Sequence, residues 1–174
     1  MTITSAVATH PGLRREGNED AYCVRADLGL FVVADGMGGH AAGEVASKLA
    51  VDTIEAVIHD TRGADLNSTW PFPYDTALSL SGNLLKAAIQ MANRRVTSAM
   101  QDNDALRGMA TTAAVILVHG AKGTLAHVGD SRAYRLRDGV LAPLTQDHSW
   151  VNDQVRSGLM TEEDARRQIG RAHV

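Results

Sequence analysis

Two residues, Ala26-Asp27, separate the strand-forming run Asp20–Arg25 from the apolar run Leu28–Ala34. A connection that short cannot carry a crossover, so the two strands must lie antiparallel. The pattern recurs further on. Gly120-Ala121-Lys122-Gly123 turns Ala110–Val118 into Thr124–Val128, and Asp138-Gly139, a two-residue hairpin signal, follows the alternating stretch Ala133–Arg137. Between these groups stand two segments of helical period. One begins near Ala42 and carries Val45, Leu49, Ile54, Val57 and Ile58; the other starts at Asp75 as N-cap and runs towards Met100. Its apolar positions include Leu78, Leu85, Ala88, Ile89, Ala92 and Val96. Antiparallel hairpins with two long helices predict an α+β sandwich, helices covering packed sheets, rather than a doubly wound parallel fold. Ser5–Thr9 reads as a further short strand and Thr61–Tyr74 as a loop, since Trp70-Pro71-Phe72-Pro73 bars helix there. Short helical pieces are expected after Trp150, with Thr161 as an N-cap.

With 174 residues, 44 % of them hydrophobic, one core and a single domain over 1–174 are expected. The net charge of −3 comes from 17 basic and 20 acidic residues with no polybasic run, which argues against a nucleic-acid partner. Cys23 is the sole cysteine, so no internal disulfide forms and a reducing compartment fits best. No apolar run approaches the roughly 20 residues of a bilayer span. Met1-Thr2-Ile3-Thr4 lacks the charged-then-apolar pattern of a signal peptide. The expectation is a cytoplasmic protein without a membrane segment.

Chemistry gathers at strand ends. Leu28–Ala34 is apolar enough to be buried on both faces, and it stops at Asp35-Gly36-Met37-Gly38-Gly39-His40. A carboxylate at the tip of a buried strand is costly without a cation or a dense set of donors, and the glycines let the backbone turn tightly around a ligand. Asp35 thus reads either as a divalent-metal ligand or as the acceptor of backbone N–H groups in a tight turn. Asp130, in His127-Val128-Gly129-Asp130-Ser131-Arg132, repeats the arrangement, and hard cations take several oxygen ligands. Arg14-Arg15-Glu16-Gly17-Asn18-Glu19-Asp20 offers a guanidinium fork for phosphate and two carboxylates for metal-bound waters, or else a solvated charged turn. His40 is placed to give a proton to a leaving group, or to cap and pack at a helix start, with Glu44 one turn on. Thr111 and Thr112 read as core or ladder residues, and Cys23 as a small buried hydrophobe. A phosphate-binding arginine, an oxygen-rich metal site and a general acid together suit metal-assisted hydrolysis of a phosphoester.

These segments, with Ala41-Ala42-Gly43-Glu44, Gly108-Met109-Ala110-Thr111-Thr112 and Leu144-Thr145-Gln146-Asp147-His148-Ser149, resemble the bacterial metal-dependent serine/threonine phosphatases of type 2C, in the family's order. The resemblance implies an αββα sandwich with two Mn2+ or Mg2+ ions at one end of its central sheets and a third, weaker metal. It implies that Asp35 bridges the two metals, that the Gly36 carbonyl binds one, and that Asp130 helps bind the third. By the same resemblance Glu19 and Asp20 would hold metal-bound waters, Arg15 would grip the substrate phosphate, and His40 would protonate the leaving serine or threonine oxygen. A water bridging the metals attacks phosphorus in line, with no phosphoenzyme. The implied partners are phosphorylated proteins, in opposition to a serine/threonine protein kinase. Two further aspartates of the family pattern have no counterpart here, and 145–174 reads as the family's flap segment. The chain is therefore expected to be a C-terminally truncated catalytic domain. The alternative is an impaired, pseudophosphatase-like fragment that binds phosphoproteins without hydrolysing them.

Overall fold

A computed structural model describes residues 2–13, 17–39, 41–61, 73–148 and 161. They fall into two compact units, Met1–His127 and Val128–Val174.

The first unit holds β1 (Asp20–Arg25), β2 (Leu30–Met37), α1 (Ala42–Asp60), α2 (Leu80–Asp102), a 3-10 turn (Asp104–Leu106), β3 (Ala110–Thr111), β4 (Ala113–His119) and most of β5 (Lys122–Val128). The sheet order is β1-β2-β4-β5, with β3 also paired to β2. As the short connections require, β1 is antiparallel to β2 and β2 to β4. The turn from β1 to β2 closes at Gly29, where φ is +67° and a Cβ would collide with the Val118 carbonyl oxygen. Glycine is needed there on both counts.

The helices bury one face of this sheet. Leu30, Val32 and Ala34 of β2 and Val115 and Leu117 of β4 meet Ala50, Ile54 and Ile58 of α1 and Leu85, Ala88 and Ala92 of α2. Leu30, Ile54, Leu85, Val32 and Val115 are fully enclosed, each contributing roughly 1.5–3 kcal/mol through burial. Alanine at 42, 46 and 50 keeps the helix surface low where α1 meets its neighbours.

Five expectations change. Leu28–Ala34 is apolar on both faces, yet only one is covered: Phe31 is half-buried and Val33 is 48 % exposed, beside its cross-strand partner Tyr22. An apolar run shows that a strand tolerates burial, not what lies against each side. Helix α2 begins after Ser79, whose hydroxyl accepts from the Gly82 N–H, and not after Asp75. Asp75 instead caps a preceding turn by accepting from Ala77 N–H. Ala110–Val118 is interrupted at Thr112, and β5 starts two residues before Thr124. Ser5–Thr9 forms no strand. Its Thr9 hydroxyl takes a hydrogen bond from the Asn18 amide at 2.7 Å, a side-chain tie in place of a ladder.

The second unit contains the hairpin β6 (Tyr134–Arg137) and β7 (Val140–Pro143). Its turn residues Asp138 and Gly139 both have positive φ, 51° and 76°, as a type I′ turn demands. The helical pieces expected after Trp150, and all of 145–174 beyond His148 save residue 161, lie outside the described residues.

Candidate metal centre

Asp35 reaches the exposed side of the sheet because alternation along β2 sends Ala34 and Gly36 inward and Asp35 outward. The β1–β2 register sets Asp20 directly opposite Asp35. Directly opposed like charges on one face destabilise a strand pair. A cation between them reverses the sign of that interaction.

The next residues are built to hold backbone close. The Gly36 N–H donates to the Glu19 carbonyl at 3.0 Å, and the Ser47 hydroxyl donates to the same oxygen at 2.6 Å. A Cβ on Gly36 would strike the Gly43 carbonyl, and one on Gly43 would strike Glu19 Oε1. Two glycines thus let the end of β2 lie against the first turn of α1, with the Glu19 carboxylate laid across that turn. Helix N-termini favour negative charge, which suits this position for Glu19. Asn18 accepts from the Asp20 N–H at 3.1 Å and fixes the entry to β1.

The backbone of Asp35 is tied on its other side by two hydroxyls. Its N–H donates to Thr112 Oγ1 at 2.9 Å, and its carbonyl accepts from the Thr112 N–H at 2.9 Å and from the Thr111 hydroxyl at 3.1 Å. The sequence marks Thr111 and Thr112 only as core or ladder residues. Their link to Asp35 depends on strand register, and no local pattern reveals it. Gly43 and Ser47 were legible as helix residues but not as neighbours of Glu19.

The structure therefore brings Glu19, Asp20, Asp35 and Gly36 to one end of the sheet. Asp130 stands in the second unit, following Gly129 at φ +91°. There the Gly129 carbonyl accepts from the His148 N–H at 3.0 Å, and the Arg132 guanidinium forks onto Asp147 at 2.9 and 2.6 Å. Asp147 in turn raises the affinity of that guanidinium for its proton. Arg15 and His40 lie outside the described residues. A cavity of about 430 Å3 between α2 and β5, lined by Ser79, Lys86, Gln90 and His127, includes none of these carboxylates.

The donors at this sheet end are all oxygen. Among the described residues no three histidine, cysteine, aspartate or glutamate side chains stand close enough to enclose a metal ion. Two opposed carboxylates and a nearby carbonyl fit a hard divalent cation that keeps several waters, as Mg2+ does when one or two carboxylates hold it.

A helix-backed antiparallel sheet with carboxylates gathered at one end is compatible with a metal-dependent phosphatase domain. Residues 14–172 match the sequence profile of the Protein phosphatase 2C family, and the chain belongs to that family. It is 37 % identical over 165 residues to the serine/threonine protein phosphatase PstP of Mycobacterium tuberculosis, covering 95 % of this chain and 29 % of the relative. The serine/threonine phosphatase stp of Listeria monocytogenes is 34 % identical over 163 residues, 90 % of this chain and 59 % of that one. Among solved structures, the catalytic domain of PstP in complex with two manganese ions shares 38 % identity at a TM-score of 0.66, covering 88 % of this chain and 60 % of that chain. This chain thus spans less than two thirds of each of these relatives, and it shares the type-2C phosphatase fold with them.

Proposed function

We propose that this chain serves the metal-dependent hydrolysis of phosphoserine and phosphothreonine in proteins, at a binuclear manganese or magnesium centre. The carrying observation is the pairing of Asp20 with Asp35 across β1 and β2, with Gly36 held beside them. Membership of a phosphatase family supports the reading, as does the two-manganese complex of a relative.

Asp35 and the Gly36 carbonyl would hold the ions, Glu19 and Asp20 their waters, and Asp130 a third, weaker metal. When bound, such ions supply an acidified water as nucleophile. Arg15 orients the phosphate dianion through its planar fork. His40 donates a proton to the serine or threonine oxygen as its bond to phosphorus breaks. The partners in this reading are phosphoproteins of the cytoplasm, opposite a serine/threonine kinase. No described helix is long and apolar enough to cross a membrane.

The test is phosphate release from a phosphothreonine peptide in manganese, by this chain and by Asp35→Asn. Turnover in the native chain that falls to background in the variant bears the reading out. Equal turnover in both would remove Asp35 from the metal centre. Peptide binding with no turnover by the native chain would replace hydrolysis with phosphoprotein recognition.

A further inference from the structure

The ladders on either side of Thr112 keep one register: Val33 pairs with Ala114, and Gly36 with Thr111. Thr112 therefore stands opposite Asp35. In a regular antiparallel pair of this kind the two residues exchange both N–H···O=C bonds. The Thr112 N–H donates to the Asp35 carbonyl at 2.9 Å. The Asp35 N–H goes to the Thr112 hydroxyl at 2.9 Å, while the Thr112 carbonyl accepts from the Thr111 hydroxyl at 2.9 Å. The Thr111 hydroxyl also reaches the Asp35 carbonyl at 3.1 Å. A side-chain hydroxyl thus joins the backbone pairing at the one position on β2 that carries a carboxylate. The Thr112 hydroxyl and N–H both hold the Asp35 backbone, at the residue that stands opposite Asp20.

We propose that Thr112, with Thr111 beside it, is a positioning residue that holds Asp35 in the geometry for divalent-metal binding. The proposal rests on the reading of Asp35 as a metal ligand. It differs from a purely structural role in what it predicts. Outer partners of metal ligands change affinity by 10–100-fold when removed, whereas a remote hydroxyl of equal structural worth changes stability alone.

The experiment titrates manganese(II) chloride into the 174-residue chain and reads the loss of the free-ion EPR signal, with thermal melts run alongside. Thr112→Val keeps the shape and removes the acceptor; its manganese affinity is expected to fall at least about tenfold. Thr112→Ser restores the hydroxyl and is expected to stay within about threefold of native, less than the range for a lost outer partner. Thr53→Val, which removes a hydroxyl bonded to the Leu49 carbonyl in α1, is expected to lower the melting point without moving the affinity. If Thr112→Val does not fold, Thr111→Val takes its place, with a weaker affinity again expected. Native affinity in the valine variant, or equal losses in the valine and serine variants, overturns the positioning role. If Asp35→Asn meanwhile loses the metal, the reading of Asp35 survives that failure. A native chain that binds no manganese, or an Asp35→Asn variant that binds it as native, overturns both.

Discussion

At the scale of single residues, Asp35 faces Asp20 across the β1–β2 ladder, and its N–H donates to the Thr112 hydroxyl. Asp35 stood out because a carboxylate after seven apolar residues has to be compensated, and the structure does turn it outward to face Asp20. The Thr112 hydroxyl could not be read that way, since its meaning comes from a partner 77 positions away. Cys23 was expected to be a small buried hydrophobe, and it is 7 % exposed. Burial first, and the negative charge of Glu55 second, push its thiol from about 9.0 up to about 11. Below pH 9 both folded and unfolded thiols are protonated and nothing is lost. Between about 9 and 11 only the unfolded chain ionises, so stability falls as pH rises through that window. The loss is of order 2 kcal/mol. Urea midpoints at pH 8 and 10.5 for native and Cys23→Ala proteins check this: the native pH slope must be the steeper, and parallel slopes would refute the assignment.

At the scale of elements, the existence and order of both long helices and all the hairpins were legible, because period and turn chemistry are local. Boundaries were not. Asp75 and Ser79 are both good caps, and the choice between them is made by Asn83, a residue without a sequence signature. Its buried amide accepts from the Asp75 N–H and donates to the carbonyls of Asp75, Leu78 and Ser79 at 2.8–3.3 Å. The chain from Asp75 to Ser79 is thereby wrapped into a turn, and the helix can begin only after it. Asn83→Leu leaves the half-buried Asp75 N–H without its acceptor and is expected to cost about 1–3 kcal/mol. Ser79→Ala, which removes one exposed cap bond, is expected to cost about 1 kcal/mol. Chemical denaturation of the two variants measures both, and a larger loss in Ser79→Ala would reverse the account of where α2 starts.

At the scale of the whole molecule, the sequence indicated an α+β protein of packed sheets and helices, and the family and its solved members agree. Which sheet face is covered was beyond its reach, because Leu28–Ala34 is equally apolar on both sides. The side away from the helices leaves Tyr22, Val24, Val33 and Met37 between 37 % and 66 % exposed. Contiguous apolar surface of that kind drives association. Sedimentation of the chain at rising concentration is expected to show self-association that Val24→Lys with Val33→Lys reduces; concentration-independent monomer in the native protein would contradict it. The hairpin between Arg25 and Leu30 has a consequence for anyone altering this molecule. Side chains alternate with a period of two, so an insertion there that slipped β1 by one residue would swing Asp20 to the helix-packed side and replace it with a neighbour of the wrong kind. A tag or graft at this exposed tip, about 17 Å of strand away from Asp35, keeps the paired carboxylates only where the ladder below it holds its register.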